Sequence, residues 1–472
     1  MLADPTAPEG QPLADPIASL EPTDAAESGD AESGDADGAV ASPRDVAAPP
    51  AGSVDAGADL GRRRFFRQFA GDLANTAATV VGAAQALQRT SAEMASAILD
   101  PTRAVLEGAD APGITGEDGP IFRTAFRLDD RFIRFVDQRA LPLRVAEHSA
   151  DSAATVVWAI RNGVVEGGPA IGQAAAIGLA LSADRVIGTR PFARRATLRG
   201  AANAMTNLSP THASLGWAVG RVMDAYRAVG ELEDDGQAIA AAMHEEADRI
   251  VAEVTDDHGR LVDAGLAAVD ALPRSGPDDA PLRLLVHGPS GTLAGGQFGT
   301  ALAIAIAAHH GEREVRVIVP EARPGFSGSR ISCWELATAG VPHVLVADTA
   351  VASLIAAGEI DAVLVPADRV AANGDVAAIV GSYPIAVVAG RHGVPVFVCA
   401  PVSSIDPSTA DGGSIEIGVR PNGELEQLGN VTLAPRGTEV RVPAHDVTPA
   451  ELVTAWITGA GPRRPPFAAV ES

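Results

Sequence analysis

Five short apolar runs, each ending in a polar or glycine-bearing turn, set the rhythm of the second half of the chain: Leu282 to Val286, Val315 to Val319, His343 to Val346, Asp361 to Pro366 and Val394 to Val398. Runs of this length, rich in β-branched residues, read as strands buried on both faces. Helical spacing fills the gaps between them, as in residues 300–309 and 331–339. Strands alternating with helices predict an α/β fold whose Rossmann-like, parallel, doubly wound sheet occupies residues 281–459. Such sheets bind ligands beyond the carboxyl ends of their strands. Asp368, just past the fourth run, is therefore the first candidate for chemistry.

Upstream the pattern changes. Phe122 to Leu128 and Phe132 to Val136 alternate around Asp129-Asp130-Arg131, which predicts a β-hairpin. Val156, Val157, Ile160 and Val164 then share one helical face, and Glu166-Gly167-Gly168-Pro169 ends that helix. Pro169 suits the first turn of a second helix over 170–181. The free backbone N–H groups at that start point to an anion site, with a tight interhelical turn as the competing reading. Further helical patterns cover 215–229 and 238–271, so residues 121–273 are expected to form a hairpin and helical domain, joined to the sheet domain by a linker over 275–281. Near the C-terminus, Thr448, Pro449 and Glu451 have the spacing of a helix cap, a first helical residue and a capping box. Asp375, after Asn373-Gly374, reads as the cap of a helix starting at Val376. Residues beyond Gly461 look frayed.

The N-terminal segment differs in kind. Residues 1–60 hold thirteen Asp or Glu against one Arg, about half of the net charge of −24, and predict a disordered acidic tail. In residues 61–100, Phe65, Phe66, Phe69, Leu73, Ala77, Val80, Ala84 and Leu87 recur mostly at spacings of three and four, an amphipathic helix running over 62–98. Its basic start, Arg62-Arg63-Arg64, leaves three roles open: docking on a protein partner or on the body, contact with a membrane surface, or twin-arginine export.

Composition narrows the function classes. No dense Lys/Arg stripe speaks for nucleic acid, and no apolar run reaches the ~20 residues of a membrane helix, so a cytoplasmic protein is expected. Cys333 and Cys399 lie in no CxxC or Cys/His cluster and read as buried, reduced thiols; neither a metal nor a cofactor is expected. The run from Gly288 to Gly299 matches neither G-x-G-x-x-G nor a P-loop. His287, a single histidine at a strand end, reads as a hydrogen-bonded structural residue.

Five blocks in one order carry a closer likeness: Asp137-Gln-Arg-Ala-Leu-Pro142, Gly168-Pro-Ala-Ile-Gly172, Arg323-Pro324 followed by Ser329-Arg-Ile-Ser-Cys-Trp-Glu-Leu336, Ala367-Asp-Arg-Val-Ala-Ala-Asn-Gly-Asp375, and Asp446-Val-Thr-Pro-Ala-Glu-Leu452. With them, residues 122–457 resemble the superfamily of methylthioribose-1-phosphate isomerases, ribose-1,5-bisphosphate isomerases and the α/β/δ subunits of the exchange factor for eukaryotic initiation factor two. The resemblance implies an aldose–ketose isomerase that moves hydrogen between C1 and C2 of a sugar 1-phosphate, using a thiol, a carboxylate and phosphate-holding arginines. It also implies a homodimer and a small-molecule ligand. The carboxylate carries over to Asp368. The substrate contacts carry over, by position, to Gly168, Pro169, Ser290, Gly291, Ser327, Asn373 and Gly374.

Several polar positions depart from the family pattern. Where the reactive Cys belongs, the chain reads His287-Gly288-Pro289-Ser290-Gly291. The Arg of the family's Arg-Gly-Ala-Pro turn is Glu166, its second phosphate clamp falls at Ser209, the Asn that follows falls at Ser214, its Gln falls at Ser327, and its Asn-Lys pair falls at Ala378-Ile379. Losing a charge-assisted phosphate contact costs about 1.5–3 kcal/mol, and losing a catalytic acid or base costs about 10²–10⁴ in rate. The chain is therefore expected to be a diverged member that binds an altered ligand or serves as a binding or assembly protein. The alternatives are an active isomerase that uses Asp368, with Cys333 as a conceivable replacement thiol, and a scaffold that displays the 62–98 helix to a partner.

Overall fold

The computed structural model describes residues 124–464, apart from residue 130 and residues 231–235, 274–279, 312–313 and 429–430. The acidic tail, the 62–98 helix and nearly all of the expected linker lie outside the described residues.

The hairpin expected around Asp129 gains a third strand. β1 (Phe126–Asp129) pairs antiparallel with β2 (Phe132–Val136), Phe126 opposite Phe135, and β2 pairs with β3 (Glu147–Ala150). Alternation sorts its faces: Phe126, Ile133 and Phe135 are buried, while Arg127 and Arg134 face outward and pair with Glu147 and Asp129. Helices follow: α1 (Ala153–Arg161), α2 (Gly168–Asp184), α3 (Pro191–Thr206), α4 (Ala213–Val229) and α5 (Gln237–Asp270). Ser152 and Thr155 close a capping box at the start of α1. α2 is apolar and small-sided almost all round, so it is the buried centre about which the others pack. Gly172 lets it approach α4 closely, since a Cβ there would lie 2.8 Å from the Ser214 carbonyl oxygen.

α5 joins the helical layer to the sheet. Its first half, from Ile239 to Val254, belongs to the helical core, and Leu261, Val262 and Val269 belong to the core on one face of the sheet. The sheet strands are β4 (Leu282–Val286), β5 (Val315–Pro320), β6 (His343–Val346), β7 (Ala362–Pro366), β10 (Val396–Cys399), β15 (Ala455–Thr458) and the antiparallel edge β16 (Gly461–Arg463). Between β4 and β5 lie α6 (Thr292–Gly295) and α7 (Ala301–His310). The sheet runs β16-β15-β10-β7-β4-β5-β6, parallel from β15 to β6. Strand order therefore reverses between β4 and β7, the crevice where sheets of this kind receive ligands. No helix among the described residues is long and apolar enough to cross a membrane.

Several local expectations are corrected. Val376 does not begin a helix: β9 (Val376–Ile379) is a strand, hydrogen-bonded to β8 (Arg369–Ala371) and to β14 (His445–Thr448) in a second sheet ordered β11-β8-β9-β14, where β11 is Ile405–Asp406. Asp375 does not cap; its carboxylate accepts from the Gly412 and Ala450 N–H groups, tying three loops together. Thr448 ends β14, and only a single 3₁₀ turn, Ala450–Leu452, follows without a side-chain cap. Long-range pairing outweighs the local capping signature at both places, and Gly461–Arg463 is paired rather than frayed. The helix expected over 331–339 is preceded by a π-type turn, Gly328–Ser332, with the α-helix itself at Cys333–Thr338.

Candidate active site

Asp368 sits two residues beyond β7, at the reversal of strand order. Its backbone is fixed from both sides: its N–H donates to the Ala377 carbonyl at 3.0 Å, and its carbonyl accepts from Ala213 N–H at 3.0 Å. The neighbouring Arg369 donates to the carbonyls of Pro210 (2.9 Å) and Thr211 (3.2 Å) and pairs with Asp406. Thr211 in turn donates to the Glu416 carbonyl at 2.8 Å and accepts from Gly418 N–H at 3.0 Å. The segment leading into α4 is thus held against the end of β7.

That arrangement carries His212 to Asp368. Its Nε2 lies 3.4 Å from Asp368 Oδ1, and its Nδ1 lies 2.6 Å from the Ser209 hydroxyl. His445, the first residue of β14, brings its Nε2 to 3.3 Å from the other carboxylate oxygen, Oδ2. The two imidazoles meet edge to face, with centroids 5.0 Å apart. The three side chains are 14%, 14% and 10% exposed. Burial pushes His212 down to about 4 against the pull of Asp368, so it is neutral at neutral pH. Burial alone would raise the Asp368 carboxyl; interaction with His212, hydrogen bonding to His445 and the Gly168 N–H outweigh it and hold the group below its ordinary value. The N–H expected to serve a ligand anion at the start of α2 is spent on the protein's own carboxylate. A Cβ at Gly168 would come within 3.2 Å of Asp368 Oδ1 and 3.3 Å of the His212 ring.

Asp368, His212, His445, Gly168, Pro169 and Ser290 line one cavity of about 710 Å³. Gly291, Ser327, Asn373 and Gly374 are not among its lining residues. Gly291 packs against Glu335, Ser327 is buried ahead of the π-type turn, and Asn373 and Gly374 form the turn between β8 and β9, where Asn373 bonds to Asp375.

Four arginines also line the cavity. Three are already engaged. Arg420 pairs with Glu424 at 2.6 Å and with Glu166 at 3.6 Å, and Arg139 pairs with Asp137 at 2.7 Å. Arg330 donates to the carbonyls of Gln138 (2.6 Å), Gly325 (3.2 Å) and Leu141 (3.3 Å). Arg161 stands exposed at the rim.

After β4, the strand next to β7, Pro289 and Ser290 line the cavity. Gly288 has φ +89°, and a Cβ there would lie 2.8 Å from Ile379 Cγ2, so no side chain fits at that position. Ser290 is buried; its hydroxyl accepts from Leu302 N–H at 3.1 Å and donates to the Gly288 carbonyl at 3.3 Å. His287 is hydrogen-bonded through Nε2 to the Val380 carbonyl at 3.1 Å, as its single placement at a strand end suggests. Beneath this loop Glu335 accepts from Leu293 N–H and the Thr292 hydroxyl, each at 3.0 Å, and burial pushes its carboxyl up to about 7. Neither cysteine lines the cavity: Cys333 packs against the sheet core, and Cys399 is buried in β10.

Of the three residues grouped here, the sequence singles out Asp368 and neither histidine. The available signal was position: His212 directly follows the Ser209-Pro210-Thr211 block, and His445 directly precedes the Asp446–Leu452 block.

Residues 164–465 match the model of the initiation factor 2 subunit family. The chain is 40% identical over 336 residues to the methylthioribose-1-phosphate isomerase of Chloroflexus aurantiacus, covering 71% of this chain and 93% of that one, and 40% identical to that of Syntrophotalea carbinolica, covering 70% and 93%. Among solved structures it resembles 5-methylthioribose 1-phosphate isomerase from Pyrococcus horikoshii OT3, with TM-score 0.63 and 32% identity over 74% of this chain and 94% of that one. It also resembles the δ subunit of the translation initiation factor eIF-2B from A. fulgidus, with TM-score 0.60 and 30% identity over 73% and 96%. The chain belongs to the initiation factor 2 subunit family, as a relative of the methylthioribose-1-phosphate isomerases.

Proposed function

We propose that the cavity binds a small hydroxyl- or carbonyl-bearing molecule lacking a phosphate, and that Asp368 with its two imidazoles moves a proton on it. One observation carries this reading: Asp368 lies between His212 Nε2 at 3.4 Å and His445 Nε2 at 3.3 Å on the wall of the cavity. An ionised carboxylate within reach of two imidazole rings puts groups that can accept and donate a proton in one place, which acid–base catalysis requires. In the stretch where the family's thiol belongs, Gly288 has no room for a side chain, and the residues that line the cavity are Pro289 and Ser290. An incoming phosphate would have to compete with Glu166 and Glu424 for Arg420, or with Asp137 for Arg139. Replacing one charge-assisted bond by another yields little net affinity.

A second reading is favoured by the curated relatives at 40% identity, which are named methylthioribose-1-phosphate isomerase. It is the parent reaction, run by Asp368 without a thiol. The purified chain incubated with methylthioribose 1-phosphate, and separately with methylthioribose and other free sugars, separates the two. Thermal stabilisation by a free sugar, with turnover lost in Asp368→Asn, supports the first; conversion of the phosphate ester at ordinary enzyme rates overturns it. The homodimer belongs to either reading and is tested by sedimentation.

A further inference from the structure

Two histidines and one carboxylate that converge on an open cavity are also a ligand set. We propose that His212, His445 and Asp368 bind one divalent transition-metal ion, with its remaining coordination positions open to the cavity. The inference rests on the reading of this pocket as a ligand site; in an occupied site the three side chains are ligands and do not themselves carry the proton, and metal content can be measured without any substrate.

Geometry carries the proposal. The donor atoms of the three residues all lie within 4.8 Å of one another. Ligand atoms about 2.1 Å from a tetrahedral metal stand roughly 3.4 Å apart. The two nitrogen–oxygen separations, 3.4 and 3.3 Å, are of that size. As ion-paired hydrogen bonds they are long, since charge-assisted N–H···O⁻ contacts run about 2.7–2.9 Å.

The support behind His212 suits a metal as well, whereas Nδ1 of His445 is buried without a hydrogen-bond partner among the described residues. His212 has its Nδ1 at 2.6 Å from the Ser209 hydroxyl, so an Nδ1–H can be donated there while Nε2 keeps a lone pair for the ion. The donors come from three places in the fold: the entry to α4, the end of β7 and the start of β14. They are tied to one another by main-chain bonds: Ala213 N–H donates to the Asp368 carbonyl, Asp368 N–H donates to the Ala377 carbonyl of β9, and β9 pairs with β14. Two imidazoles with one carboxylate favour zinc, iron(II), cobalt(II) or nickel(II) over calcium and magnesium. All three residues line the cavity, so a bound ion would face the ligand's oxygen atoms and polarise them. Local spacing carries no hint of this set, because the two histidines lie in different halves of the chain.

The full-length chain, stripped with a chelator and dialysed in turn against zinc(II), cobalt(II) and nickel(II), tests the proposal by metal content per chain and by the visible absorption of the cobalt form. The expected result is one equivalent in the wild type and at least tenfold weaker uptake in His212→Gln and in His445→Gln, each checked for folding by circular dichroism. No saturable uptake by the wild type, or equal uptake by the wild type and both folded variants, would overturn it. Should either variant fail to fold, the copper(II)-loaded wild type decides by electron paramagnetic resonance. Coupling to two imidazole nitrogens supports the site, and coupling to none overturns it. Metal bound with no free sugar stabilised or turned over would defeat the acid–base reading and leave the metal site standing.

Discussion

The two walls of the cavity are built from the same kind of element, a parallel strand ending in a loop, and they carry opposite chemistry. After β7 the cavity meets a carboxylate between two imidazoles; after β4 it meets Pro289 and Ser290, the serine bonded to main chain. Strand topology accounts for the position of the cavity, and the identity of a few residues accounts for which wall carries titratable groups. The comparison is broken if the β4 wall proves catalytic or the β7 wall proves inert. Asp368→Asn tests this most severely. Turnover of a substrate found by thermal-shift screening should fall by about 10²–10⁴, the usual cost of losing an acid–base group.

Next in size is an attempt to restore a thiol to the β4 wall. Gly288→Cys must adopt φ +89° and place Cβ 2.8 Å from Ile379 Cγ2. Left-handed backbone costs an L-residue about 1–2 kcal/mol and overpacking about 1–3, so urea denaturation should show a loss of about 3 kcal/mol. Ile379→Ala in the same chain should recover part of that loss, with a coupling of about 1–2 kcal/mol. An additive double variant would show that Ile379 does not close the position.

The walls should also respond oppositely to pH. His212 is pushed down to about 4, so above pH 6.5 neither state binds its proton; as pH falls from 6.5 towards 4 the unfolded chain gains one first, and stability is lost. Glu335 is pushed up to about 7, so its contribution is complete below the ordinary carboxyl range and is lost as pH rises through 7. Each amounts to about 3 kcal/mol over its full window. Urea unfolding of His212→Gln should lack the acid-side loss relative to wild type, and Glu335→Gln should lack the loss towards neutral pH. Parallel curves for wild type and either variant would remove that group from the account.

Much of the frame was legible and much of the site was not, for one physical reason. The five apolar runs predict five of the six parallel strands because burial leaves a mark in the local sequence, although His343–Val346, at the sheet edge, is only half-buried, with Leu345 50% exposed. The sixth, Ala455–Thr458, follows a stretch whose Thr448-Pro449 and Glu451 mimic a helix start, and pairing with β10 prevails there. Val376–Ile379 is apolar enough for a helix or a strand, and β8 and β14 decide it. Asp368 could be found because a carboxylate at a strand end is informative by itself. His212 and His445 could not be found from spacing, because only the folded chain brings the entry of α4 and the start of β14 to the same carboxylate.

The smallest expected effect is the most direct probe of the β4 wall. Ser290 is buried, and its hydroxyl accepts from Leu302 N–H near the start of α7. Ser290→Ala leaves that buried donor without a partner, which costs about 1–3 kcal/mol of stability. If the hydroxyl serves only the main chain, turnover at saturating substrate should stay within about twofold of wild type while the urea midpoint falls. A serine that handled a ligand oxyanion would give the reverse, a large loss of turnover from a chain of nearly unchanged stability. The β4 wall would then have traded its thiol for a hydroxyl, and the catalytic groups would face each other across the cavity instead of sharing one side of it.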